Sequence, residues 1–193
     1  MKQFLESPHF LQTVDAETKK NSDEAGTLAG GLSEVQLSWT SAPDRWSIAQ
    51  CLDHLATTSK AFEPHLTAAL KRGRDKWPVR SPVPYRPSLV GGWLIKQVVP
   101  GATRKVPAPK VFRPSQSPVI ENALEKFLQQ QEGFLRFVLE AEGLDYNKTR
   151  LRSPVTPLMR YSVADAFVVT VVHGWRHLAQ ARRMLETPGF PVH

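Results

Sequence analysis

Six histidines and one cysteine are the metal-seeking donors of this chain. Two of them, His173 and His177, lie four residues apart in the run Val168–Gln180, which is mostly apolar. At 3.6 residues per turn, positions i and i+4 share one helix face, one turn apart. Two imidazoles so placed can hold one divalent ion without backbone rearrangement. The same spacing also suits an ordinary core helix with one packed and one solvated histidine. Between the pair sits Gly174, which costs about 1 kcal/mol against alanine in a helix. In return it permits close approach by a neighbouring helix or a ligand.

A third histidine, His54, lies beside Cys51 and Leu55 at the edge of another apolar stripe, so it points toward the core. If the helices carrying His54 and the His173/His177 pair pack side by side, three imidazoles converge. Three neutral histidines leave one position of a tetrahedral ion open, as in catalytic sites, whereas structural zinc sites are closed by four ligands. Such an ion lowers the pKa of bound water or thiol and makes a nucleophile at neutral pH. His65 is excluded as a fourth ligand, being about 16 Å from His54 along a helix axis. His9 and His193 are near the ends and expected in solvent, and Cys51 is expected as a packed core thiol. No carboxylate has a suitable spacing, since Asp53 points about 100° away from His54 and Asp165 is expected to cap its helix. Thr58, Thr170, Arg176 and Gln180 lie within a turn of the histidines and are candidates for lining the pocket. No general base is evident, so no catalytic residue is assigned. Phosphate-binding loops, dinucleotide-binding glycine patterns and serine-elbow motifs are absent from the sequence.

Helices must position these residues. Ser7-Pro8 predicts the start of a first helix running to about residue 29, and Ser33 with Gln36 caps a short turn over 32–39. Ser47 and Gln50 form a capping box opening a second helix over about 47–71, which Pro64 is expected to kink. Nine of the 16 prolines fall between residues 74 and 118, so this stretch is no regular element. Within it, only 88–99 has the pattern of a short amphipathic helix. Ser117-Pro118 opens a third long helix to about Ala141, and a loop through Pro154 and Pro157 leads to a fourth over about 161–185. Ser162 and Asp165 form a capping box at its start. There is no alternating strand pattern. The expected fold is all-α, a four-helix bundle in one domain over 1–193, with a long proline-rich crossover at about 74–117 between the second and third helices.

Composition narrows the rest. A hydrophobic content of 41% suits a globular chain, and the single cysteine forbids an intramolecular disulfide. Met1–Lys20 has no apolar h-region, so no secretory signal, no membrane span and a cytoplasmic location are expected. The net charge of +7 is uneven: residues 71–113 hold 11 Lys/Arg against the single acid Asp75. These cations are interleaved with prolines, which favours a solvated loop over a nucleic-acid surface.

The runs Leu37-Ser38-Trp39, Pro43–Ile48 and His54-Leu55, then Val106–Pro114, then His173–Gln180, resemble in order the DinB/YfiT-like metalloprotein superfamily. Each motif is loose alone; together they cover most of the chain. The resemblance implies an up-down-down-up four-helix bundle, often a homodimer, with zinc or nickel on histidines matching His54, His173 and His177. Some relatives are transferases or isomerases that use a low-molecular-weight thiol. The expected function is therefore a divalent-metal-dependent enzyme, a thiol-dependent transferase or hydrolase acting on a small molecule. The other class is a non-enzymatic helical binding protein whose basic crossover meets an acidic partner.

Overall fold

The computed structural model describes residues 1–101, 108–117 and 119–191. Val106 and Pro107 of the crossover motif, Pro118 and His193 lie outside the described residues. The elements, in order, are α1 (Lys2–Glu6), α2 (Phe10–Ala29), α3 (Glu34–Ser38), α4 (Ile48–Lys76), α5 (Leu89–Val98), a 3-10 turn (Lys110–Phe112), α6 (Ala123–Glu140), β1 (Arg150–Arg152), β2 (Arg160–Ser162) and α7 (Val163–Leu185).

Helix starts follow local hydrogen-bond chemistry. Capping boxes close α3, α4 and α7: Ser33 with Gln36, Ser47 with Gln50, and Ser162 with Asp165 exchange reciprocal bonds. Three expectations are corrected. The first long helix begins at Phe10 rather than at Ser7-Pro8, because Ser7 is extended before Pro8, as residues preceding proline prefer. Its hydroxyl accepts from the amide of His9 and the hydroxyl of Thr13 and caps nothing. The third long helix begins at Ala123, after Asn122 in the left-handed region at φ 54°, not at Ser117. The segment expected as a plain loop through Pro154 and Pro157 contains an antiparallel ladder pairing Arg150 with Ser162, Leu151 with Tyr161 and Arg152 with Arg160. Leu151 and Tyr161 pack inward and the arginines face solvent.

α4 passes through Pro64 without a break and runs to Lys76, five residues beyond the expected end. Its last turns are held from outside: Val79 donates to the carbonyl of Gly143, Asp145 donates to that of Trp77, and Thr149 packs against Gly73.

The bundle directions follow from its end contacts. Arg74 pairs with Glu140 at 3.1 Å, so the C-termini of α4 and α6 meet and those helices run parallel. Arg182 pairs with Glu24, so α2 and α7 also run parallel. Val163 donates to the carbonyl of Thr149, which packs on Gly73, so α7 starts where α4 ends and the two are antiparallel. The order is up-down-down-up. α4 and α2 each pack against both α6 and α7, which places α2 diagonally from α4 and α6 diagonally from α7. One core cluster, around Phe10, Phe62, Tyr85, Phe134 and Phe167, fills one end; a second, around Ile48, Leu52, Phe127 and Leu178, fills the other. Among the described residues no helix is long and apolar enough to cross a membrane.

Candidate metal centre

Antiparallel packing puts the N-terminal third of α4 against the C-terminal half of α7, and His54, His173 and His177 meet there. One ligating nitrogen from each lies within 4.8 Å of the others. Ring centroids are 4.9 Å apart for His54 and His173, and 4.6 Å for each of the other two pairs. Nε2 of His54 and Nε2 of His173 are 3.1 Å apart. Two nitrogens bound to one tetrahedral zinc at about 2.0–2.1 Å would be separated by about 3.3 Å. The spacing therefore fits a shared ion.

The crossover orients the first ligand. Nδ1 of His54 donates to the carbonyl of Phe112, in the 3-10 turn that packs on α4. A carbonyl can only accept, so the proton sits on Nδ1 and Nε2 is left with its lone pair toward His173. The ring of Phe112 stacks on Phe62 with centroids 6.1 Å apart and anchors the turn. On the other side, the Trp46 ring lies 4.7 Å from His54 and 5.6 Å from His177, roofing the cluster with indole. The buried Nδ1 of His177 has no hydrogen-bond partner.

Burial holds all three imidazoles neutral. His54 is lowered by desolvation, partly opposed by the Phe112 bond and Asp53. His173 is driven well below the ordinary histidine value by burial, then by its two neighbours and Arg176. His177 is lowered to about 3 by burial, with His54 and Arg176 adding to the shift. Neutral imidazole is the ligating form. A set of three neutral nitrogens without a carboxylate suits zinc, nickel or copper better than magnesium or calcium.

The other singled-out residues fall into place. Asp53 accepts from the amide of Ser115 at 2.7 Å and tethers the crossover. Asp165 is buried at the head of α7, accepting from Tyr85, Ser88 and Ser162. Cys51 is buried, its thiol pushed up to about 12, and it stays outside the cluster. His65 is likewise outside it, and His9 is exposed at the head of α2. Thr58 and Thr170 line a small cavity beside His173. The Thr170 hydroxyl donates to the carbonyl of Ala166. Arg176 donates to the carbonyl of Gln97 at 2.8 Å and acts on the histidines only through its charge. Gln180 adjoins His177 and slightly favours its protonated form.

Three contributors were given no role at the site from the sequence, although Trp46 and Phe112 lie in runs that carry the family resemblance. Trp46 carried a signal, since it stands directly before the capping box that leads to His54. Gln131, on the wall of the same cavity, also did: it interrupts the apolar series Phe127, Phe134 and Val138 at helical spacing. The Phe112 carbonyl left no signal, because a backbone acceptor has no residue type.

No curated protein matches the chain. A solved structure with the same fold is that of YfiT from Bacillus subtilis, described as a probable metal-dependent hydrolase with an unusual four-helix bundle topology. It matches with a TM-score of 0.57 at 14% identity, over 94% of this chain and 89% of that one. The profile of the DinB superfamily matches residues 17–181, which include all three clustered histidines. The chain belongs to the DinB superfamily.

Proposed function

We propose that this protein is a metal-dependent hydrolase that holds one divalent ion, zinc or nickel, on His54, His173 and His177. The observation that carries the reading is the convergence of three neutral imidazoles, two buried and His173 half-buried, with no carboxylate among them. The likeness in fold to YfiT, a probable metal-dependent hydrolase, supports it. A divalent ion there would supply Lewis acidity, lowering the pKa of a water or thiol in contact with it. The chain's own residues do the rest. Phe112 fixes the tautomer and the ring plane of His54, and Trp46 keeps solvent from one side of the cluster. Arg176 places a positive charge near enough to disfavour protonation of the rings. Three histidine ligands would leave one position of a tetrahedral ion free for a water or a small substrate.

Cobalt substitution followed by visible spectroscopy tests the open position. Spectral change on adding azide or a small thiol is expected. A spectrum indifferent to azide, thiols and pH between about 7 and 9 would mark a closed, structural ion. If a thiol alone changes the spectrum, with azide inert, transfer to or from a low-molecular-weight thiol replaces hydrolysis as the reaction.

A further inference from the structure

A cavity of about 10 Å³ lies beside His173, where α4, α6 and α7 meet. Leu55, Phe62, Phe127 and Val169 form its apolar walls, and Thr58 of α4 and Gln131 of α6 line it with polar groups. Both polar residues are deeply buried, Thr58 at 9% and Gln131 at 5% exposure. The hydroxyl oxygen of Thr58 has no hydrogen-bond partner. A buried hydroxyl left without a partner is costly to the fold, so native structures seldom keep one. A volume of about 10–15 Å³ suits one water, provided that two or more polar groups reach it. Among the described residues no Lys, Arg, Asp or Glu lines the space. A charged group entering it would lose its hydration with no charged side chain on the walls to meet it.

We infer that this cavity is a subsite for one small, neutral, hydrogen-bonding group, held between Thr58 and Gln131 next to His173. In the free protein the occupant is a single fixed water. In a complex it is an uncharged hydroxyl of the substrate, which displaces that water. The subsite takes a hydroxyl in preference to a carboxylate because it has room for one heavy atom and no Lys or Arg on its walls. Its place in catalysis rests on the reading of the three histidines as a metal centre; its occupancy does not.

Two measurements on the metal-loaded protein decide the matter. A high-resolution crystal structure should show one water within hydrogen-bond distance of both Thr58 and Gln131; an empty cavity overturns the inference. Titration of methyl-labelled protein with methanol, followed by NMR at Val169, should give saturable shifts. Thr58→Val keeps the shape and removes the hydroxyl, so methanol should bind at least tenfold more weakly. Thr58→Ser keeps the hydroxyl and should bind methanol within about threefold of wild type. Methanol binding unchanged in Thr58→Val overturns the inference. Metal content is read in the same samples. Absence of metal from wild type defeats the metal-centre reading, whereas methanol binding that needs Thr58 supports the subsite with or without the ion.

Discussion

Gly174 stands between two of the three clustered histidines, and its replacement by alanine tests the helix packing that brings them together. A Cβ there would lie 2.3 Å from Nδ2 and 2.9 Å from Cγ of Asn21 on α2. Asn21 is buried, and its Nδ2 donates to the carbonyl of Val171 at 3.1 Å. The methyl group can therefore be admitted only by turning that amide away or by spreading α2 from α7. Turning the amide loses a buried hydrogen bond, at about 1 kcal/mol, and overpacking adds about 1–3 kcal/mol. Alanine's better helix propensity returns about 1 kcal/mol. The balance is a destabilisation of about 2 kcal/mol. Asn21→Ala alone should cost about 1 kcal/mol. In the double variant the clash is gone and the propensity gain remains, so it should be about as stable as wild type or slightly better. The coupling is then about 2–3 kcal/mol, well above the additivity error for distant sites. Urea unfolding of the chelated proteins measures all four corners of the cycle. Gly174→Ala as stable as wild type, or strictly additive effects, would refute the close approach of α2 to α7.

Other expectations follow from single features. The three imidazoles have folded-state values below the ordinary 6.5, so in acid the unfolded chain binds more protons than the folded one. Stability of the chelated protein should hold above about pH 6.5 and fall below it by about 1.4 kcal/mol per pH unit for each buried histidine, down toward about 3 for His177; a flat unfolding midpoint between pH 7 and 5 contradicts this. Ser47→Ala should lose about 1 kcal/mol and Ser47→Gly only a few tenths, since the hydroxyl accepts from the Gln50 amide at 3.1 Å; thermal unfolding compares the two. Asp165→Asn turns an amide donor toward groups that already donate, the hydroxyls of Tyr85 and Ser88 and the Ser162 amide. It should cost about 2–3 kcal/mol and loosen α5, read as faster amide exchange over Leu89–Val98.

What could be read in advance was local. Ser47 with Gln50 and Ser162 with Asp165 announce the starts of α4 and α7 because a capping box is complete within four residues. Apolar periodicity then shows which face of each helix carries His54 and His173. It does not say which helices are neighbours. Here that depends on how the buried faces interlock in the two core clusters, and the exposed end pairs Arg74 with Glu140 and Arg182 with Glu24 only report the outcome. The misread starts have local causes that no residue pattern marks. Ser7 looks like a cap until Thr13 and His9 take its hydroxyl, and Asn122 opens α6 from a left-handed conformation that no pattern marks. The hairpin at 150–162 escaped notice because three-residue strands bearing arginines have little alternation to detect, and two buried residues, Leu151 and Tyr161, hold them. At the site, the ligand side chains could be read; the Phe112 carbonyl that sets a ring tautomer could not.

The central claim is that His54, His173 and His177 together hold one divalent ion. Metal analysis of protein purified without a histidine tag tests it most directly, alongside alanine variants of each of the three and of His65. About one equivalent of zinc or nickel is expected in wild type and in His65→Ala, and little in His54→Ala, His173→Ala or His177→Ala. Wild-type protein without bound metal, or stoichiometric metal that survives the loss of both His173 and His177, would contradict the account.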